Sequence, residues 1–284
     1  MRPFRSTRLG SSLKRVVRYL SSRVTGSIKY LFAELEYAPK GWRVVKAWDD
    51  QNVADAQQRH WPTLVRNLQG SGPLGVAHFP WHKTREDRAD HNVMMSYGYV
   101  LALAARKKDA VSILDWGGGV GHYYLYSKAL LPEVAMQYHC YDVPTLCRLG
   151  RTLLPDIQLS DKEADFLGRQ FDLVVTSSSL HYFEDWRAEV RKLAAMTQEF
   201  LYIARLQTVT HAASFVVSHK VYHDGYGEFL SWCINQQELL TCVGECGLEL
   251  VREFVYYDKS IIRRAPERGD CRGFLFRALR RQWT

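Results

Sequence analysis

The chain runs Asp115-Trp116-Gly117-Gly118-Gly119-Val120-Gly121 directly after the apolar segment Val111-Ser112-Ile113-Leu114 and directly before a helical pattern. Glycines at a strand-to-helix junction let the backbone turn sharply and let a ligand lie against bare peptide. Their spacing decides which ligand. A dinucleotide site needs G-x-G-x-x-G, but counting from Gly117 puts the third position on His122, and counting from Gly119 puts it on Tyr124. A phosphate loop needs Gly-Lys-Ser or Gly-Lys-Thr, which does not occur here. Pyrophosphate binding is disfavoured on both counts.

The surroundings of this loop predict the fold class. Beyond residue 110, apolar strands at Val111–Asp115, Met136–Asp142, Phe171–Ser177 and Phe200–Ala204 alternate with helices near Val120–Leu131, Thr145–Leu153, Trp186–Met196 and Gln236–Cys246. Such alternation implies an α/β fold with a parallel sheet covered on both faces. Glu249–Tyr257 and Gly273–Arg277 have no helix-length pattern between them and predict a terminal antiparallel pair. Residues 34–110 read as helices and loops rather than sheet. Asp49-Asp50-Gln51 opens a polar helix, Gly70-Ser71-Gly72-Pro73 is a loop, and His91 to Arg106 carries Val93, Met94, Tyr97, Val100, Leu101 and Ala104 on one side. Asp172 reads as a structural residue at a strand start. The expected organisation is a basic amphipathic helical segment over 1–33, a helical cap and substrate-side region over 34–110, and a cofactor-binding domain over 111–284.

Charge separates the first segment from the rest. The formal +8 of the 284 residues comes from Arg2, Arg5, Arg8, Lys14, Arg15, Arg18, Arg23 and Lys29, with no carboxylate before Glu34; the remaining 255 residues carry 30 cationic and 30 acidic side chains. A neutral body argues against nucleic acid as a partner, because phosphate affinity needs clustered excess cations. Leu13 to Phe32 repeats apolar residues every three or four positions between cations, which fits a helix packed on the domain, a peripheral membrane contact through residues 1–29, or a targeting peptide. No window approaches ~18 uninterrupted apolar residues, and Arg18 cuts the only candidate secretory core, so a cytoplasmic, at most membrane-peripheral, location is expected. The six cysteines lack metal-ligand spacing and read as reduced thiols.

Asp-x-Gly-x-Gly-x-Gly, followed 21 residues after Gly121 by Asp142 at the end of an apolar run, resembles the class I methyltransferases that use S-adenosylmethionine. Each half has a plainer reading, a simple turn and a simple helix start, and it is their combination that carries the likeness. The resemblance implies a Rossmann-like, seven-stranded, mostly parallel sheet with a terminal antiparallel hairpin and an N-terminal helical cap. Asp115 would help hold the methionine end of the cofactor, with Gly117, Gly118, Gly119 and Gly121 admitting it, and Asp142 would take both ribose hydroxyls, as a carboxylate can. Asp165-Phe166, with Asp161 as the alternative, would border adenine. The triple glycine with Asp142-x-Pro144 is similar to O-methyltransferases of small hydroxylated molecules. The overall layout, including Arg272-Gly273-Phe274-Leu275-Phe276, resembles methyltransferases of bacterial surface-polysaccharide gene clusters.

The same resemblance places Ser177, Ser178 and His181 beside the transferring methyl. His181 falls where small-molecule O-methyltransferases carry a base in a Leu-His pair, here Leu180-His181, but Tyr182-Phe183-Glu184 intervene before Asp185-Trp186. Other members keep a histidine there that only shapes the pocket, so base and shaping roles both stand. His211, His219, Tyr222, His223, Asp224, Tyr226 and Trp232 fall in the link after the fifth strand, as substrate contacts or as packing. His219 and His223 lack the glutamate of H-E-x-x-H, and Pro80 separates His78 from His82, so no metal is expected. The acceptor reads as a small molecule or glycan, methylated on oxygen since no Asn/Asp-Pro-Pro-Tyr amine motif occurs. The rival is a non-catalytic scaffold that keeps the fold and uses its basic helix at a membrane.

Overall fold

The computed structural model describes residues 33–43, 48–75, 88–221, 228–260 and 262–279. The basic segment of residues 1–29, His78, His82, Tyr222, His223, Asp224 and Tyr226 lie outside the described residues.

The predicted strands form the centre of the molecule. β2 (Ala110–Trp116), β3 (Ala135–Tyr141), β4 (Gln158–Ser160), β5 (Phe171–Ser177) and β6 (Thr197–Val209) pair in parallel in the order β4-β3-β2-β5-β6. β10 (Gly269–Ala278) adds antiparallel to β6, and β9 (Leu248–Ser260) antiparallel to β10, as the expected terminal pair. Together these are the seven strands of a Rossmann-like sheet.

Alternation along each strand assigns its two faces. Val111, Ile113, Leu173, Val175 and Leu275 pack on α2 (Arg88–Ala105), whose Val93, Met94, Tyr97, Val100, Leu101 and Ala104 are buried, and on α3 (His122–Leu130). Leu114, Trp116, Val174, Leu201, Ile203, Phe274 and Phe276 face the other way, onto α5 (Trp186–Ala195) and α6 (Gln236–Glu245). Each fully buried aliphatic or aromatic side chain contributes about 1.5–3 kcal/mol, so these layers dominate stability. Asp185 and Asn235 cap α5 and α6 by accepting from the backbone N–H of Ala188 and Glu238.

Two regions depart from the expectation. Residues 34–110 are not free of sheet: β1 (Ala33–Tyr37) pairs antiparallel with β7 (Phe215–Val221). The link after the fifth strand is likewise a hairpin of β7 and β8 (Glu228–Asn235), joined to the main sheet where Thr208 and Val209 of β6 pair with Ile234 and Asn235. β6 is long enough at 13 residues to serve both: one edge pairs with β10 up to Thr208, and the other pairs with β5 up to Ala204 and then with β8 at Thr208 and Val209. Leu35, Val209, Phe215, Val217 and Cys233 form a small separate core that holds this extension. The polar helix opened by Asp50 is α1 (Gln51–Leu68); its Val53, Ala54 and Ala56 pack on Val120, on Leu146 of α4 (Pro144–Leu153) and on Phe229 of β8.

Asp172 ties the sheet's lower edge. Its carboxylate accepts from the N–H (2.8 Å) and hydroxyl (2.7 Å) of Ser112 and pairs with Lys108, which also reaches Glu199. Asp172→Ala strips Ser112 and Lys108 of this acceptor, and about 1–3 kcal/mol of stability should be lost in urea unfolding.

Candidate functional site

The sheet changes direction at β2, which has β3 on one side and β5 on the other. At such a switch point the helices diverge and leave a crevice at the carboxyl ends of the strands. A cavity occupies it, and Asp115, Gly117, Gly118, Gly119, Asp142, Ser177 and Ser178 all line it. The structure therefore brings together the glycine turn, the acid closing the second strand and the serines closing β5, though they lie far apart in sequence.

Local chemistry explains two of the glycines. A Cβ on Gly118 would fall 2.2 Å from Asp115 Oδ2 and 2.8 Å from Cys140 Sγ, so no side chain fits. Gly121 stands at the start of α3 with φ 91°, and a Cβ there would meet Ile157 Cδ1 at 2.8 Å. Trp116, between them and Asp115, points away from the cavity, stacks on Tyr141 at 4.0 Å and donates its indole N–H to Glu189.

Asp115 is fully buried. Its Oδ2 accepts from Tyr138 Oη at 2.6 Å, whereas Oδ1 has no hydrogen-bond partner among the described residues. Burial pushes its pKa up to about 7, against the pull of the Tyr138 hydrogen bond. Asp142 follows β3. Its Oδ2 accepts from Gly119 N at 2.6 Å and its Oδ1 from Val143 N at 2.7 Å, and burial still pushes its pKa up to about 6. Val143 and Leu146 form an apolar wall beside it. The cavity thus offers an acid with one unsatisfied oxygen for a cation, a fixed carboxylate suited to a diol, and an apolar slot for a flat ring.

Three lining residues carried no sequence signal strong enough to single them out. Trp48 packs edge-on to Tyr182 (5.1 Å) and tilted on Phe229 (4.7 Å), and Gln57 reaches in from α1; Trp48 Nε1 and Gln57 Oε1 are buried without a partner among the described residues. Asp49 anchors this segment by accepting from Thr145 N and Oγ1 at the start of α4. Arg205, from β6, is the third. A charged residue ending the apolar run Leu201-Tyr202-Ile203-Ala204 was the available signal.

Other expected site residues lie elsewhere. His181 sits in the turn Leu180–Tyr182, only 3% exposed, and does not line the cavity; Tyr182, tilted against it at 4.2 Å, does. Burial, with the Arg205 charge, holds the His181 pKa down to about 3, so its imidazole is neutral across the working range. Asp165 and Phe166 also stand outside the cavity lining. The turn Glu163–Asp165 directs the Asp165 carboxylate back to the Ser160 hydroxyl, while Phe166 is buried edge-on against Trp116 and Tyr141. His219 and Trp232 lie on β7 and β8; Trp232 donates to the Glu184 carbonyl at 3.1 Å and stacks on Trp42. Among the described residues no group of three His, Cys, Asp or Glu side chains is placed to hold a metal ion, and no helix is long and apolar enough to cross a membrane. The six cysteines form no disulfide with one another.

Residues 89–252 match the model of a methyltransferase domain. No curated protein matches the chain. Among solved structures, it is similar to magnesium protoporphyrin IX methyltransferase from Synechocystis PCC 6803, at 14% identity and TM-score 0.46 over 81% of this chain and 98% of that one. It is also similar to an S-adenosylmethionine-dependent methyltransferase from Clostridium acetobutylicum, at 11% identity and TM-score 0.47 over 70% and 96%. A third is an amino pentose methyltransferase from Micromonospora echinaspora, at 16% identity and TM-score 0.44 over 77% and 96%.

Ionisation of Asp115 should tell on the ligand-free protein. A carboxyl whose folded pKa is raised to about 7 from 3.8 costs stability as pH climbs through that window, and the full cost is present above it. Asp115→Asn should therefore be more stable than the parent at pH 8 by up to a few kcal/mol in thermal unfolding, and the gap should close towards pH 4. A gap independent of pH would contradict the assignment.

Proposed function

We propose, since this chain belongs to the methyltransferase domain family, that it transfers a methyl group from S-adenosylmethionine to a hydroxyl of a small-molecule or glycan acceptor. The enzyme depends on S-adenosylmethionine, which when bound supplies a methyl group on an electrophilic sulfonium. The observation that carries the reading is the buried, unpartnered Asp115 Oδ1 set in one cavity with Asp142. A cofactor bearing an ammonium group and a ribose diol satisfies both.

Each residue then has a task. Asp115 accepts from the ammonium. Asp142 keeps one acceptor site on each oxygen beyond its two backbone N–H bonds and directs them at the ribose hydroxyls. Gly117, Gly118 and Gly119 meet the ligand as bare backbone at the cavity wall, and Gly121, outside that lining, keeps the turn by leaving room for Ile157 and Leu154. Val143 and Leu146 flank adenine. Ser177 and Ser178 border the methionine end, where Ser178 takes φ 59° to clear the crevice. Asp165 and Phe166 serve this wall from behind, by bracing β4 and Tyr141.

Methyl transfer is an in-line displacement, and holding acceptor and sulfonium in line supplies most of the acceleration a protein can give. His181, neutral and behind Tyr182, acts as a positioning residue, fixing the phenol that borders the acceptor side. A role in surface-polysaccharide synthesis belongs to the same proposal. So does peripheral membrane contact, which the eight cations before Glu34 support.

Two measurements test this. Asp142→Ala should weaken S-adenosylmethionine binding roughly 10- to 100-fold by calorimetry, the loss of two hydrogen bonds to a charged acceptor. With methyl-labelled cofactor and a panel of phenols, sugars and amines, label should appear on oxygen; label confined to amines would overturn the acceptor class.

A further inference from the structure

The cavity holds a second charge that the glycine motif does not account for. β6 runs on past the end of β5, and at Arg205 its backbone takes φ 52°, beside Ser178 at φ 59°. The two are joined by Ser178 N donating to the Ala204 carbonyl at 2.9 Å. Left-handed backbone at non-glycine residues is strained and persists where the surrounding structure holds it. Here it aims Arg205 across the end of β5. Nε donates to Ser177 Oγ at 3.0 Å and Nη2 to the Ser177 carbonyl at 3.3 Å.

Ser177 is itself fixed. Its hydroxyl meets Tyr123 Oη at 2.8 Å, and Tyr123, in the first turn of α3, stands edge-on to the buried ring of Tyr97 at 4.6 Å. The guanidinium is thus held on Ser177, which is bonded in turn to the first turn of α3. Its charge acts on Asp115, His122, Tyr123, His181 and Tyr182. His122 cannot share the cationic role, since burial and Arg205 hold its pKa down to about 3.

We infer that Arg205 binds the carboxylate of the cofactor's methionine end, so that Asp115 and Arg205 together form a two-sided clamp for an α-amino acid group. The inference rests on the S-adenosylmethionine reading. An α-amino acid presents an ammonium and a carboxylate on one carbon, and the cavity presents a carboxylate oxygen at Asp115 and a planar cationic fork at Arg205. A guanidinium suits the task because it stays charged at every working pH and carries five N–H donors that a carboxylate can accept. The positive end of the α3 dipole adds to the same field.

Calorimetry with three ligands separates this from other roles: S-adenosylmethionine, its decarboxylated analogue and 5′-methylthioadenosine, which lacks the amino acid entirely. The parent should bind S-adenosylmethionine roughly 10- to 100-fold more tightly than the decarboxylated analogue. Arg205→Ala should lose that preference while binding 5′-methylthioadenosine as the parent does, which also shows that the variant is folded. Arg205→Lys should keep part of it. If Arg205→Ala bound S-adenosylmethionine as tightly as the parent, the inference would fall, and an anionic acceptor would become the group that Arg205 serves. Equal loss for all three ligands would make Arg205 a structural residue. Should the alanine variant not fold, a parent that fails to distinguish the first two ligands overturns the inference. A parent blind to all three instead sinks the cofactor reading, and the inference with it.

Discussion

The structure turns on a steric condition at the end of β2. The Asp115 carboxylate and Cys140 Sγ occupy the volume into which a side chain at Gly118 would project. The chain can leave the sheet there only as bare backbone. Because it does, Asp115 is enclosed rather than solvated, with one oxygen held by Tyr138 and the other without a partner among the described residues. A carboxyl in that position destabilises the empty protein when ionised and gives that free energy back when a cation reaches it. The same turn places the N–H of Gly119 on Asp142, so cofactor site and loop conformation are one network.

What surrounds this turn comes from distant parts of the chain. α1 is anchored through Asp49 on Thr145 and brings Trp48 and Gln57 over the crevice. β8 supplies Phe229 beneath Trp48, and β6 supplies Arg205. The β1-β7-β8 extension is thus part of the cavity's surroundings, reached because β6 outlasts the strand beside it. A long β6 and a left-handed Arg205 are linked features: the strand carries the residue past Ser177, and the backbone turn brings its side chain back.

The central sheet was legible because its signals are local. Short apolar runs between helical patterns gave β2, β3 and β5 to within a residue or two of their ends, and the Asp115 to Gly121 loop with Asp142 located the crevice. The extension was not legible, since β1 has no partner nearby in sequence and pairs with a strand far along the chain. β4 has three residues, too few for alternation to fix a register, which is why Asp165 and Phe166 were expected at adenine when the turn in fact sends them behind Tyr141. At Leu180–Tyr182, two adjacent rings compete for one opening; only the tight turn decides that Tyr182 faces the cavity and His181 the interior. Arg205 was visible as an isolated charge after an apolar strand, but nothing local says where its side chain turns.

The central claim is that the buried Asp115 carboxyl, with Oδ1 unsatisfied, receives the cofactor's ammonium group. Titrating S-adenosylmethionine at pH 6 in buffers of different ionisation enthalpy counts the protons exchanged on binding. With Asp115 at about 7 in the empty protein and held ionised in the complex, binding should release roughly one proton, and Asp115→Asn should release markedly fewer. Binding with no proton release, or with the same release in both proteins, would contradict the account.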